Sequence, residues 1–190
     1  MQQIKLDKAT HTYEPNLPSV TTILQACGLI DTTWFTDEAR DRGSRIHQLS
    51  EEWDRNTIDW SSVRDEDLGY IQSYVAYRNT HRETTWDWIE MPMMDSLGLY
   101  AGTSDRMICQ RPKHIWDLKT GVHYDWHRIQ LAAYANMDGD PYSWERHCIY
   151  LDREGKHPKV LTYTKAELKE DLEDWNAALR IYYRQRKGTK

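Results

Sequence analysis

Two aspartates and a lysine near the middle of the chain have the types and spacing of a site for phosphate chemistry. In AGTSDRMICQRPKHIWDLKTG, a turn centred on Arg111 brings two strands together, and Asp105 and Asp117 then fall opposite one another. Directly opposed residues share a face, with Cβ atoms about 4.5–5.5 Å apart. Lys119, two residues beyond Asp117, projects from the same side of its strand. Facing carboxylates repel, so something positive has to sit between them. Magnesium or manganese suits that place, because both take oxygen ligands from carboxylates, water and substrate phosphate. Lys119 either neutralises the pair or orients an attacking water. The same residues would also make the salt-bridged rim of an ordinary hairpin.

The elements that must hold these residues read as short runs. TTWDWIEMPMM, LYAGTSDRMICQ and KHIWDLKT, separated by SLG and QRP, predict three neighbouring strands. A helix from about Trp126 to Met137 follows and is broken by DGDP. ERHCIYLD and KVLTYT supply two more strands, and Thr164 caps a final helix reaching towards Arg186. Ahead of the strands, Ile4, Leu6 and Tyr13 around DKATHT predict a short hairpin, and Ser19 is an N-cap for SVTTILQACG, with Gly28 as its stop. From about Thr33 to Arg55, Phe35, Ala39, Ile46, Leu49 and Trp53 fit one or two helices, interrupted or strained at Gly43. From about Asp65 to His81, Leu68, Ile71, Tyr74, Val75 and Arg78 have the same periodicity. This order gives an α/β or α+β sandwich around a central mixed sheet, with only the terminal RQRKGTK disordered.

Composition narrows the class. At 190 residues the chain is expected to be a single domain spanning 1–190, with much of its core volume supplied by nine Trp and twelve Tyr against one Phe. No run approaches the apolar length of a membrane span, and MQQIKLDKATHTYEP lacks the basic and apolar regions of a signal peptide. A soluble cytoplasmic protein is the expectation. Cys27, Cys109 and Cys148 are too few and too scattered for a disulfide framework or a four-thiolate zinc or iron–sulfur site. A formal charge of −5 argues against coating nucleic acid by bulk electrostatics, so any contact with it must be local, with bound cations supplying the positive field.

Four groups of residues, in order along the chain, resemble the motifs of RecB-type nucleases in the PD-(D/E)XK superfamily. Gly102-Thr103-Ser104-Asp105 and Asp117-Leu118-Lys119 resemble its GxxD and DxK motifs, Arg42-Gly43-Ser44-Arg45-Ile46-His47 its RGxxxH helix, and Gln130 with Tyr134 its QxxxY motif. Ser19-Val20-Thr21-Thr22-Ile23-Leu24 is similar to the N-terminal SVTxIL element of the phage and mitochondrial genome-maintenance exonucleases in that group. The iron–sulfur branch needs four cysteines and is disfavoured. No GxxxxGK[ST] phosphate loop accompanies the motifs, which excludes a fused helicase motor.

The resemblance implies a PD-(D/E)XK core and metal-dependent hydrolysis of DNA. Asp105, Asp117, His47 and the carbonyl of Leu118 would hold Mg2+ or Mn2+, and Lys119 would position the nucleophile. Beside apolar Ile46 and Leu49, His47 by itself reads as a core or boundary histidine. Gln130 and Tyr134 share a helix face, which alone would be an ordinary amphipathic surface. The resemblance instead has Gln130 orienting Lys119 or the phosphate and Tyr134 touching the substrate backbone. Glu90 resembles a glutamate often present in the family, or is a solvated strand charge. Arg42 and Arg45 flank His47 and would face phosphates, whereas Arg40, Arg78 and Arg82 read as solvated. His123, His127 and Arg128, just after the DxK strand, could touch phosphates, although loop histidines usually do nothing specific, and the tryptophans are mostly core, although Trp34, Trp86 or Trp126 could stack on unpaired bases. Expected partners are single-stranded or end-bearing duplex DNA and a single-strand annealing or replication protein. A structure-specific endonuclease and an inactive DNA-end-binding module are the alternatives.

Overall fold

The computed structural model describes residues 1–7, 10, 12–31, 33 and 36–187. In chain order the elements are β1 (Gln2–Gln3), β2 (Lys5–Asp7), β3 (Thr12–Glu14), α1 (Val20–Ala26), α2 (Asp37–Asp54), α3 (Asp65–Thr80), β4 (Trp88–Met94), β5 (Ala101–Ile108), β6 (Lys113–Lys119), α4 (Trp126–Ala135), β7 (Trp144–Tyr150), β8 (Lys159–Tyr163) and α5 (Lys165–Lys187). Six strands make one mixed sheet in the order β1-β4-β5-β6-β7-β8, while β2 and β3 pair separately. The α4 crossover makes β6 and β7 parallel; the other pairs in the sheet are antiparallel. Helices flank this sheet, so the class is α/β.

Alternation along β6 sends neighbouring side chains into different cores. Ile115 joins Met107, Val20, Ile23, Leu24, Leu131 and Trp175 under α1, α4 and α5. Trp116 and Leu118 join Ile46, Leu49, Ile71 and Tyr74 of α2 and α3. The odd positions that include Asp117 and Lys119 therefore look towards α4.

Helix ends follow side-chain chemistry. The Thr22 N–H donates to Ser19 Oγ at 2.9 Å, and Gly28 follows α1 with a φ of 74°. At the start of α5 the Glu167 N–H donates to Thr164 Oγ1 and the Thr164 N–H returns to Glu167, a reciprocal capping box.

Several expectations need correction. α2 runs unbroken through Gly43, begins from the Thr36 cap, and has acidic Asp37 and Glu38 in its first turn, where the helix dipole favours them. Phe35, counted in its apolar pattern, lies outside the described residues. Leu68 is exposed, because α3 buries the face of Tyr70, Ile71, Tyr74 and Tyr77 instead. Arg184–Lys187, expected to be disordered, form the last turn of α5, where basic residues are favourable. Residues 8, 9 and 11 of the first hairpin lie outside the described residues, but its strands pair as Lys5↔Glu14, Leu6↔Tyr13 and Asp7↔Thr12. Among the described residues no helix is long and apolar enough to cross a membrane.

Candidate active site

The site forms where β5 and β6 separate. Their pairs Ile108↔His114, Met107↔Ile115 and Arg106↔Trp116 centre on Arg111, the expected register, and stop one step before Asp105 and Asp117. There a side chain takes over from the backbone. The Leu118 N–H donates to Asp105 Oδ2 at 2.5 Å. A strand residue directs its N–H and C=O to the same side, so the Leu118 carbonyl also faces β5. The Lys119 carbonyl faces the other way and accepts the Leu151 N–H at 2.8 Å. Both aspartates are 3% exposed.

Lys119 Nζ forms an ion pair with Asp117 and donates to Gln130 Oε1 at 2.9 Å. Gln130 Nε2 in turn donates to the Tyr134 hydroxyl at 3.0 Å. The Tyr134 ring lies against Gly102, where a Cβ would come within 2.4 Å of Tyr134 Cε1. This explains the glycine of the GxxD pattern: it admits the ring that supports the amide that holds the lysine. Gln130 and Tyr134 are only 6% and 4% exposed. Tyr134, expected to touch the substrate backbone, is buried behind Gln130, which links it to Lys119. Trp126 keeps a place at the site, its ring centroid 5.1 Å from Lys119 Nζ.

From α2, His47 reaches over to the same spot. Its Nδ1 is 3.2 Å from Asp105 Oδ1 and 3.2 Å from Glu90 Oε1. Glu90 lies between the pairs Ile89↔Arg106 and Met91↔Ser104, hence across from Asp105, and its φ is 50°. A non-glycine residue in that left-handed region costs about 1–3 kcal/mol and persists where surrounding contacts over-determine it. Arg106 supplies such contacts. This fully buried guanidinium donates to Glu90 Oε1 at 3.2 Å, Asp54 Oδ2 at 2.7 Å, Ser50 Oγ at 2.9 Å and the Asp105 carbonyl at 2.7 Å. It ties α2 to β4 and β5 beneath His47. Sequence reasoning missed Arg106; the available signal was an arginine in the middle of a central strand, just before apolar Met107 and Ile108, where a buried guanidinium needs carboxylates to pair with.

Electrostatics separate the two aspartates. Burial opposes ionisation of Asp105, but His47, Lys119 and the Leu118 N–H outweigh it and hold its carboxyl below the usual range. Asp117 is pushed up to about 6 by burial and by the charge of Asp105, against the pull of Lys119. Burial would lower Lys119, yet Asp117 and Asp105 raise it, so it stays an ammonium. Burial likewise opposes the His47 imidazolium, and Asp105 with Glu90 raises it well above its ordinary value.

Ligand atoms of His47, Glu90 and Asp105 lie within 4.8 Å of one another. Asp117, whose Oδ2 pairs with Lys119 Nζ, stands beside that group. One imidazole, carboxylates on three strands and a main-chain carbonyl fit a divalent cation, with manganese accepting both donor types.

Other candidates are placed elsewhere. Arg45, expected to face phosphates, pairs with Asp67 at 2.6 Å and Glu66 at 2.8 Å, so its charge is neutralised within the fold. Arg42 also turns to α3, its guanidinium 5.5 Å from the Tyr70 ring centroid. His127 is buried, 2.8 Å from the Tyr150 hydroxyl, and Arg128 pairs with Asp171 at 3.0 Å. Arg78, expected to be solvated, pairs with buried Asp54 at 3.1 Å. Trp86 packs on Trp116 with centroids 4.7 Å apart and is not open to a base; Trp34 lies outside the described residues.

No protein-family model and no curated protein matches this chain. Among solved structures, the crystal structure of SSO0001 is similar over 83% of this chain and 85% of that one, at 14% identity and a TM-score of 0.32.

Proposed function

We propose that the chain is a divalent-metal-dependent DNA exonuclease with a PD-(D/E)XK core of the RecB type, acting from a free end. The observation that carries this reading is the opened β5–β6 pair, where Asp105, Asp117 and Lys119 meet His47 and Glu90 from α2 and β4. A salt-bridged hairpin rim would not need a histidine between two carboxylates, nor a strained glutamate. The antiparallel β4–β5–β6 unit, followed by a crossover helix and a parallel strand, supports the same core.

Mg2+ or Mn2+, bound by His47, Glu90, Asp105, Asp117 and the Leu118 carbonyl, would polarise a phosphodiester and make water nucleophilic near neutral pH. Lys119, oriented by Gln130 and Asp117, places a fixed positive charge where negative charge develops on the phosphoryl group. Tyr134 and Gly102 keep Gln130 in register with it. A cavity of about 530 Å³ opens beside Glu90 and includes Arg55, Trp88 and Thr103 in its wall. Exposed Trp88 offers a face on which an unpaired base stacks. Products would carry 5′-phosphate and 3′-hydroxyl ends, and the setting would be phage or mobile-element recombination, repair or genome maintenance, beside a single-strand annealing or replication protein.

The test is a digest of linear DNA alongside covalently closed duplex and circular single strands, all with Mn2+ or Mg2+. Linear DNA should disappear while both circles survive. Nicking or linearisation of the circles would replace the exonuclease reading with an endonuclease of the same core.

A further inference from the structure

A second group of ligand atoms lies at the start of the β6–β7 pair, apart from the carboxylate site and unused by the reaction proposed above. Parallel register sets His114 against Glu145 and Trp116 against His147, and alternation puts all four side chains on one face. The rings stack in a tight array: His114 on Trp116 with planes 22° apart, and Trp116 on His147 at 21°. Both imidazoles are therefore held in place before any ligand arrives.

His114 Nδ1 is 3.1 Å from His147 Nε2 and 3.6 Å from Glu145 Oε2, and the three ligand atoms lie within 4.8 Å of one another. With metal–ligand bonds of about 2.0–2.1 Å, a tetrahedral zinc ion spaces its ligands about 3.4 Å apart. Two edges of that coordination face already have this length to within a few tenths of an ångström. His147 Nδ1 meets Thr162 Oγ1 at 2.9 Å, a bond that fixes the ring and leaves Nε2 aimed at the ligand position, as outer partners of metal-bound histidines do.

We propose that His114, Glu145 and His147 form a second metal site that takes a borderline transition ion of the Zn2+ type, with solvent in the fourth position. Two imidazoles and one carboxylate favour such an ion over Mg2+ or Ca2+, which prefer all-oxygen sets. Bound there, the ion ties β6 to β7 three residues before Asp117 and braces the strand that carries the hydrolytic residues.

The test uses the chelator-treated full chain in a His47→Ala background, which removes the imidazole from the carboxylate centre. Equilibrium dialysis against Zn2+ should show one equivalent bound, and saturating zinc should raise Tm by about 5–10 °C. Adding His114→Ala should abolish both effects. Glu145 is exposed, so Glu145→Gln leaves the core intact and serves if the histidine variant misfolds; it should weaken zinc binding at least tenfold. The proposal is overturned if the His47→Ala protein takes up no zinc at submillimolar free ion. Unchanged zinc uptake and Tm shift in folded His114→Ala or Glu145→Gln overturn it equally.

Discussion

Asp105 accepts the main-chain N–H of Leu118, the residue between Asp117 and Lys119, at 2.5 Å. One carboxylate thus serves two ends: Oδ2 completes the strand pairing, and Oδ1 stands 3.2 Å from His47. Asp105→Asn retains an acceptor for the N–H and loses the charge, whereas Asp105→Ala leaves a buried donor unmade at a cost of about 1–3 kcal/mol. Urea denaturation should rank stability as wild type, then Asn, then Ala, with cleavage lost in both variants. An alanine variant as stable as wild type would mean that the bond does not hold the strands.

Gly102 is expected to matter through Tyr134. In Gly102→Ala the new methyl meets the tyrosine ring, and overpacking of this kind costs about 1–3 kcal/mol. Displacing the ring moves Gln130 and then Lys119, so turnover should fall while DNA affinity changes little. Tyr134→Phe keeps the ring and removes only the hydroxyl that accepts from Gln130, and should lose less activity than Gly102→Ala. The reverse order in kcat would show that the hydroxyl, not the packing, is the important feature.

Arg106→Met should be among the most destabilising substitutions in the chain. It leaves Asp54 and Glu90 with less compensation in a buried setting, and breaking a buried ion pair from one side costs about 3–5 kcal/mol. The denaturant midpoint, compared at constant m-value, measures this directly. A shift of under about 1 kcal/mol would place the network in a wetter environment than its burial indicates.

Much of this was open to sequence reasoning, and the division has a physical basis. The register centred on Arg111 and the shared direction of Asp117 and Lys119 follow from strand periodicity, which is local. Glu90 was ambiguous because its role depends on contact with His47, 43 residues earlier, and on a left-handed backbone that a glutamate does not announce. The ion pair of Arg45 was hidden for the same reason. Its partner Asp67 sits 22 residues away on another helix, and only the packing of α2 on α3 brings them together.

Metal binding should depend on pH with a defined sign. The folded Asp117 carboxyl is raised from 3.8 to about 6, so its contribution to stability in metal-free protein is present below about pH 4 and lost as pH rises through about 6. Metal-free Asp117→Asn should therefore gain stability relative to wild type across that window. Cation binding needs the ionised acid and a neutral His47, so affinity for Mn2+ should rise through pH 6 and continue to rise above it, with proton release. Calorimetry in buffers of different ionisation enthalpy reads the protons released. An affinity constant from about pH 5 to pH 8 would contradict the assignment of these ligands.

The most direct measurement is the release of label from end-labelled linear DNA by the purified chain with Mn2+ or Mg2+, compared with the same protein in chelator and with folded Asp117→Asn and Lys119→Ala. The account predicts steady release by wild type, none in chelator, and at least about a hundredfold loss in each variant, the scale seen when one charge-stabilising group is removed from an active site. Digestion by folded Asp117→Asn at the wild-type rate, or by wild type in chelator, would contradict it.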